Sequence, residues 1–337
     1  MKAKYGIMIL FGCLVAAIVA VMLPEILKWM SRRPVRRVGL VLSGGCVRGA
    51  YEVGVWKALE EIGISKHIGA FSGTSIGSIN AALFAYGEEI EVYEKVWKEA
   101  VGDVFVMNDS TGGDTIAKFF QMALAEGFDR AVTEAKLSID GERRHDGLCS
   151  ANKLRKLLEA HLPRYWALSP PDVYATAIER STRRLTRFKL NGKSSSQYID
   201  YLLASAAVPL MFNPVEIGGV EYLDGGIGKG GDNTPIDPIV AEHPEIDFIV
   251  VAYLQCHDKL ENRVRKENYP GKQILEIIPS RDISGTWGLT GSIDTSSSSV
   301  KALMELGYQD AMNAFEDVRH APDKGIEGAP RQDRMNL

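Results

Sequence analysis

Cysteine is scarce: four residues in 337, with no CxxC pair. With Cys13 set aside inside an apolar N-terminal run, Cys46, Cys149 and Cys256 make an odd number, so neither a disulfide framework nor a zinc site is indicated. Such thiols suit a reducing compartment, and the bland role for Cys149 and Cys256 is that of a small buried hydrophobe. Positive charge is also thin in the body of the chain. Residues 1–37 hold seven of the 39 Lys and Arg and one of the 43 acids, which leaves the remaining residues at a formal charge of −10 and excludes a general nucleic-acid binder. No repeat recurs at a solenoid period, and the only low-complexity run is Thr295 to Ser299, expected to cap a helix starting near Val300.

Charge is missing altogether from Tyr5 to Leu23. At ~1.5 Å per residue this run spans roughly a ~30 Å hydrocarbon core, and Pro24 and Glu25 end it. Lys2 and Lys4 would serve a signal peptide, but the run is long for one, and Ala17-Ile18-Val19-Ala20 is a weak cleavage site. The expectation is a retained single-pass anchor over residues 1–37, including a basic juxtamembrane linker. Lys28, Arg32, Arg33, Arg36 and Arg37 follow the run, a bias that favours a cytoplasmic catalytic domain.

What remains is ordinary for a folded domain, with 45% hydrophobic and 24% charged residues overall. Val35 to Leu42 reads as a strand that stops at Ser43-Gly44-Gly45, and a helical pattern follows through Tyr51, Val55, Leu59 and Ile62. The pattern repeats at once: Ile68 to Phe71 as strand, Gly73 to Gly77 as turn, Ser78 to Ala85 as helix. Further strands are expected at Val173–Ile178, Glu221–Leu223 and Phe248–Tyr253, the last a continuous apolar run suited to a central parallel strand. Alternation of this kind predicts a layered α/β sheet. A domain over 38–318 and a mobile tail over 319–337 are expected, with residues 103–147 the least regular part.

Gly73-Thr74-Ser75-Ile76-Gly77 fits GxSxG between a strand and a helix, the context in which a strained turn presents a serine above a sheet edge. Alone the motif is common by chance. The second glycine turn, Ser43-Gly44-Gly45-Cys46-Val47-Arg48-Gly49-Ala50, is no Walker A loop, because Ala50 and Tyr51 stand where phosphate and magnesium would need Lys and Ser/Thr. Converging amides without a phosphate lysine suit a developing oxyanion. Arg48 would hold that loop, bind an anionic head group, or simply be a surface charge.

The serine needs a base. Late histidines are His243, His257 and His320, any of which would complete a Ser-Asp-His order, though loop histidines are usually not catalytic. Tyr222-Leu223-Asp224-Gly225-Gly226 offers instead an acid at the end of a short strand, open to a facing hydroxyl. An aspartate of ordinary pKa near ~4 is a poor base, so such a pair would depend on close contact and on the anion hole.

The three elements in this order, a glycine loop with arginine, GTSIGS and YLDGG, resemble the patatin-like phospholipase family. Ala204 to Gly219 ("ASAAVPLMFNPVEIGG") is similar to the segment before that family's catalytic Asp, and "DGLCSANKLRKLLEAHL" and "GSIDTSSSSVKALMELGYQDA" are similar to bacterial members. The resemblance covers roughly residues 36–316. It implies a three-layer α/β/α fold with a mostly parallel central sheet and a serine lipid acyl hydrolase with a Ser/Asp dyad. Ser75 would be the nucleophile, Asp224 the base, and Gly44, Gly45 and Cys46, completed by Arg48 and Gly49, the oxyanion hole. Gly73, Gly77, Gly225 and Gly226 would support these turns, and Asn233 and Pro235 occupy the family's Asn-x-Pro position. Two departures are Ser43, where Gly is usual, and the longer "IGKGGD" before Asn233, which would shift the acid's turn.

No metal or cofactor is required by that chemistry. The expected partners are a lipid or lipid-like acyl ester and a membrane, with no nucleic acid, and nothing in the sequence names a protein partner. Ile116 to Phe128 would be a lid or plain core packing. Two other readings stay open: an α/β-hydrolase esterase with a histidine triad, and a non-catalytic lipid-binding protein on the same fold.

Overall fold

The structure, a computed structural model, describes residues 38–100, 104, 149–209, 211–228, 230–260, 263–283 and 296–320. The expected membrane anchor, the segment considered as a lid, and the tail from residue 321 lie outside the described residues. Among the described residues no helix is long and apolar enough to cross a membrane.

The elements in chain order are β1 (Val38–Leu42), α1 (Ala50–Glu61), β2 (Ile68–Thr74), α2 (Ile76–Tyr86), α3 (Ile90–Glu99), α4 (Ala151–His161), β3 (Asp172–Glu179) and β4 (Leu185–Lys189). They continue with α5 (Ser195–Ser205), β5 (Val215–Ile217), β6 (Val220–Asp224), α6 (Asp237–Glu242), β7 (Phe248–Ala252), β8 (Gln273–Ile277) and α7 (Ser297–His320). One sheet holds all eight strands, linked in the order β5-β6-β3-β2-β1-β7-β8 with β4 also on β3. The pairs β2–β3, β1–β2, β1–β7 and β7–β8 are parallel, while β4, β5 and β6 run antiparallel to their partners. The mixed α/β sheet therefore matches the expected class.

Strands β1, β2, β3 and β7 are buried along their whole length, which is why they read as unbroken apolar or small-residue runs. Their side chains still alternate. Leu40, Leu42, Phe248 and Val250 enter a large core with α1, α2, α4, α5 and α7, whereas Val41, Ile249 and Val251 enter a smaller one with Ile239 of α6. The second covering layer is thin, made of α6 and the irregular segment around Leu260, Val264 and Tyr269.

One detail of register positions the site. Thr176 of β3 pairs with Thr74 of β2 and with Arg187 of β4, so β2 and β4 lie on opposite edges of β3. The next residue, Ala177, pairs with Thr186 of β4 and with Asp224 of β6. Strands β2 and β6 therefore share one edge of β3 and meet with their C-terminal ends facing. Ser75 and Asp224 stand at that meeting point.

Candidate active site

Ser75 joins β2 to α2 with φ 56° and ψ −130°, a conformation that costs a non-glycine residue energy and survives only where its surroundings enforce it. The enforcement is a close crossing of α2 over the strand ends: a Cβ on Gly77 would run into the Leu42 carbonyl, and one on Gly73 into the Gly77 carbonyl. Both motif glycines thus answer to backbone approach. Ser75 is 6% exposed and sits at the N-cap of α2, where unpaired amides and the helix dipole favour negative charge. Its own N–H donates to Ser205 Oγ at 3.0 Å, and Ser205 donates in turn to the Thr176 carbonyl at 2.6 Å.

Asp224, 2% exposed, ends β6 opposite. Burial pushes its carboxyl up from 3.8 to about 6, against the opposing pull of the Ser75 hydroxyl and the Gly226 amide. Gly226 N–H donates to Oδ1 at 2.8 Å, whereas Oδ2 has no partner at bonding distance among the described residues. The Ser75 hydroxyl lies close enough to pull the carboxyl downward, with no hydrogen bond at ordinary length to Oδ2. The segment before Asn233 is tied to the acid's turn, Asp232 N–H bonding back to the Gly225 carbonyl at 2.8 Å.

The loop after β1 faces this pair: a Cβ on Gly44 would lie 2.9 Å from Ser75 Cβ. Its amides are not equivalent. Ser43 N–H donates to Ala252 O at 3.2 Å, Gly44 N–H to Asn233 O at 3.3 Å, and Arg48 N–H to Gly45 O at 3.2 Å. Gly45 and Cys46 keep amides without an acceptor among the described residues, and Cys46 is held at a left-handed φ of 52°. Of the five residues expected to form an oxyanion hole, Gly45 and Cys46 are thus the two whose amides are left without an acceptor among the described residues. Gly49 contributes close packing instead, its α-carbon lying against Ile76 and Trp97. The Arg48 guanidinium holds the loop from within, donating to Gly45 O at 3.2 Å and Leu254 O at 3.0 Å. Burial, and next the charge of Asp224, push the Cys46 thiol up to about 12, so it stays protonated beside the pair.

Of the late histidines, His243 and His257 make their side-chain contacts with residues other than Ser75 and Asp224. His243 contacts Tyr174, Asp172 and Glu245 near the start of β3. Asp172 precedes Thr176 by four residues, roughly 13 Å of strand. His257 is exposed and contacts Arg263 at 3.2 Å, and the side chain of His320 is outside the described residues. Sequence reading missed Ser205, although it lies in the quoted "ASAAVPL" stretch, and the buried network behind the loop. There Asn80 donates to Gly49 O at 3.0 Å and to Glu52 Oε2 at 2.7 Å, and Trp97 donates to Asn80 at 3.1 Å. The one available signal was a glutamate on the apolar face of an otherwise core helix.

The family model for patatin-like phospholipase matches residues 40–240. A lysophospholipase of Aspergillus terreus is 54% identical over 55 residues, 16% of this chain and 4% of that protein. A lysophospholipase of Cryptococcus neoformans is 27% identical over 222 residues, 64% of this chain and 11% of that protein. The matched portions are thus a small part of these relatives' length. Among solved structures, VipD from Legionella pneumophila is similar at 16% identity and a TM-score of 0.44, covering 84% of this chain and 67% of that one. With the family model matched from the first sheet strand through the acid's turn to α6, the chain belongs to the patatin-like phospholipase family.

Proposed function

We propose that this protein is a serine lipid acyl hydrolase of the phospholipase A or lysophospholipase type, working through Ser75 and Asp224. The observation that carries the reading is the end-to-end meeting of β2 and β6 on one edge of β3, which sets a strained serine against a buried carboxylate beside two uncommitted amides.

As Ser75 Oγ bonds the ester carbonyl carbon, its proton passes to Asp224 Oδ2, the carboxylate oxygen that lacks a partner. The carbonyl oxygen becomes an oxyanion that receives the Gly45 and Cys46 N–H groups, each good donor stabilising the transition state by about 3 kcal/mol. Collapse expels the alcohol, which takes the proton from Asp224 and leaves the acyl group on Ser75. Water then gives a proton to Asp224 as its oxygen bonds the acyl carbon; the Ser75 Oγ–acyl bond breaks, Ser75 Oγ takes that proton back from Asp224, and the carboxylic acid leaves. A carboxyl raised to about 6 is a better base at neutral pH than an ordinary aspartate, yet is ionised there.

The acyl ester is that of a membrane-derived lipid, a reading supported by the family and by the lysophospholipase names of the relatives. The uncharged run from Tyr5 to Leu23 would tether the domain to its substrate's surface, with the catalytic domain on the cytoplasmic side. Labelling of the full chain by a fluorophosphonate tests the chemistry. Wild type should take up the probe on Ser75, and Ser75→Ala and Asp224→Asn should not; a folded wild type that stays unlabelled would overturn the assignment.

A further inference from the structure

Three loops carry the candidate site, and one short segment bonds to all of them. Asp232 N–H donates to Gly225 O in the acid's turn, and Thr74 Oγ1, next to the nucleophile, donates to Asp232 O at 2.7 Å. Thr234 Oγ1 and Ser43 Oγ share a hydrogen bond of 3.0 Å at the entrance to the glycine loop. Between them, Asn233 grips Gly44 in both directions. Its Nδ2 donates to Gly44 O at 3.1 Å, while its main-chain carbonyl accepts from Gly44 N–H at 3.3 Å.

The carboxamide of Asn233 also explains two glycines that the sequence motifs present separately. A Cβ on Gly44 would come within 2.5 Å of Asn233 Oδ1, and a Cβ on Gly226 would collide with the same oxygen. The side chain is therefore wedged flat between the glycine loop and the acid's turn, against an α-carbon of each.

The peptide plane supplies the functional consequence. Gly44 C=O and Gly45 N–H belong to one planar trans unit and point in opposite directions. Holding that carbonyl on Asn233 Nδ2 thus sets the aim of the Gly45 amide, one of the two uncommitted donors. The other donor is set the same way, because Gly45 C=O, which shares its plane with Cys46 N–H, is held by the Arg48 amide and guanidinium.

We propose that Asn233 is a positioning residue: its carboxamide aims the Gly45 amide at the reaction centre and sets the glycine loop's distance from Asp224. The proposal rests on the reading of Ser75, Asp224 and the glycine loop given above. It assigns Asn233 no contact with substrate and no proton transfer.

The test uses the full chain with p-nitrophenyl butyrate as substrate and a fluorophosphonate as probe, comparing wild type, Asn233→Asp and Asn233→Ala. Asp keeps the shape of Asn but lacks the Nδ2 donor and adds a charge, so a loss is assigned to the missing donor only where the uncharged Asn233→Ala variant shares it. The expected result is a fall in kcat of about 100-fold in both variants, with phosphonylation slowed in parallel. KM should stay within about threefold, and the acidic limb of the Ala variant's pH profile should remain where wild type has it, because the base is untouched. Near-wild-type kcat in Asn233→Asp, a loss confined to KM, or loss of folding in both variants would each overturn the proposal. If wild type itself is not labelled on Ser75, the underlying reading falls and this one with it. A labelled wild type with an unimpaired Asn233→Asp removes this inference alone.

Discussion

The backbone amide of Ser75 donates to the side chain of Ser205, 3.0 Å away, and not to a neighbouring strand. Strand β2 has ended at Thr74, so the carbonyl of Thr176 is reached only through the Ser205 hydroxyl, 2.6 Å from it. One hydroxyl thus stands in for a missing ladder bond at the residue that must hold a strained φ. Ser205→Ala would leave both the Ser75 N–H and the Thr176 carbonyl unpaired in a buried place. Such a loss costs about 1–3 kcal/mol of stability. We expect kcat to fall by about 10- to 100-fold with KM little changed, since the serine's placement suffers before substrate contacts do. Steady-state kinetics beside a thermal melt check this, and an unaltered kcat would remove Ser205 from the machinery.

The burial of Asp224 links activity to stability. With a carboxyl raised to about 6, kcat/KM should climb as pH passes through that region and level off above it. The sign for stability is opposite. The folded protein holds this proton more tightly than the unfolded chain, whose carboxyl sits near 3.8, so ionisation destabilises the fold progressively from about pH 4 to about pH 6. Asp224→Asn removes that charge while its amide oxygen still accepts from Gly226. The variant should be inactive yet more stable at pH 7, by up to about 3 kcal/mol, and the advantage should vanish near pH 4. Denaturant unfolding of both proteins at the two pH values decides the matter, and equal stability at pH 7 would mean that burial does not perturb the acid.

Legibility of the sequence divides along the range of the interactions. "FIVVA" and "VGLVL" announce β7 and β1 because both faces are buried, and the glycines around Ser75 and Asp224 mark local turns. Strand β4, "LTRFK", escapes notice because it is half-exposed with charged residues on one face, and β5 is only three residues long. The meeting of β2 and β6 on one edge of β3 depends on pairing between residues far apart in the chain, such as Ala70 with Asp172 and Ala177 with Asp224, which no local pattern carries. The same holds for the anion loop. Its residues were recognisable, but which amides remain uncommitted is decided by Ala252 and Asn233, far along the chain.

Glu52 shows a different kind of burial. It is fully enclosed in α1, accepts from Asn80 through Oε2, and has no hydrogen-bond partner at Oε1 among the described residues. Burial raises its carboxyl well above the usual range, outweighing the opposing pull of Asn80 and the Ser43 backbone, and so favours the protonated form. Glutamine has the shape of the glutamate and the charge of its protonated form. Glu52→Gln should therefore cost no more than about 1 kcal/mol and leave activity within a few-fold, whereas Glu52→Ala should open a cavity costing about 2–5 kcal/mol. Thermal melts of the two variants separate the cases. A Gln variant as unstable as Ala would show that the group is ionised in the fold.

His243, far from the reaction centre, should govern a separate pH response. Its Nε2 lies 3.4 Å from Asp172 Oδ2 and 3.1 Å from the Tyr174 hydroxyl, and its Nδ1 lies 3.2 Å from Glu245. The bond to Asp172 raises its pKa above the ordinary 6.5, burial opposing and Glu245 assisting. Burial also works to raise Asp172, but its bonds to His243 and Lys189 prevail and lower it below 3.8. A raised histidine contributes stability that is fully present below pH 6.5 and is lost as pH rises through its folded value. A lowered aspartate contributes stability present above 3.8 and lost as pH falls through its folded value. The pair therefore supports the fold most strongly between about pH 4 and pH 6.5. His243→Gln should lose stability in that window and converge on wild type in alkali, with the acidic limb of kcat/KM unmoved because Asp224 is at the other end of β3. Chemical denaturation across pH measures the first, and a stability difference independent of pH would assign His243 a packing role instead.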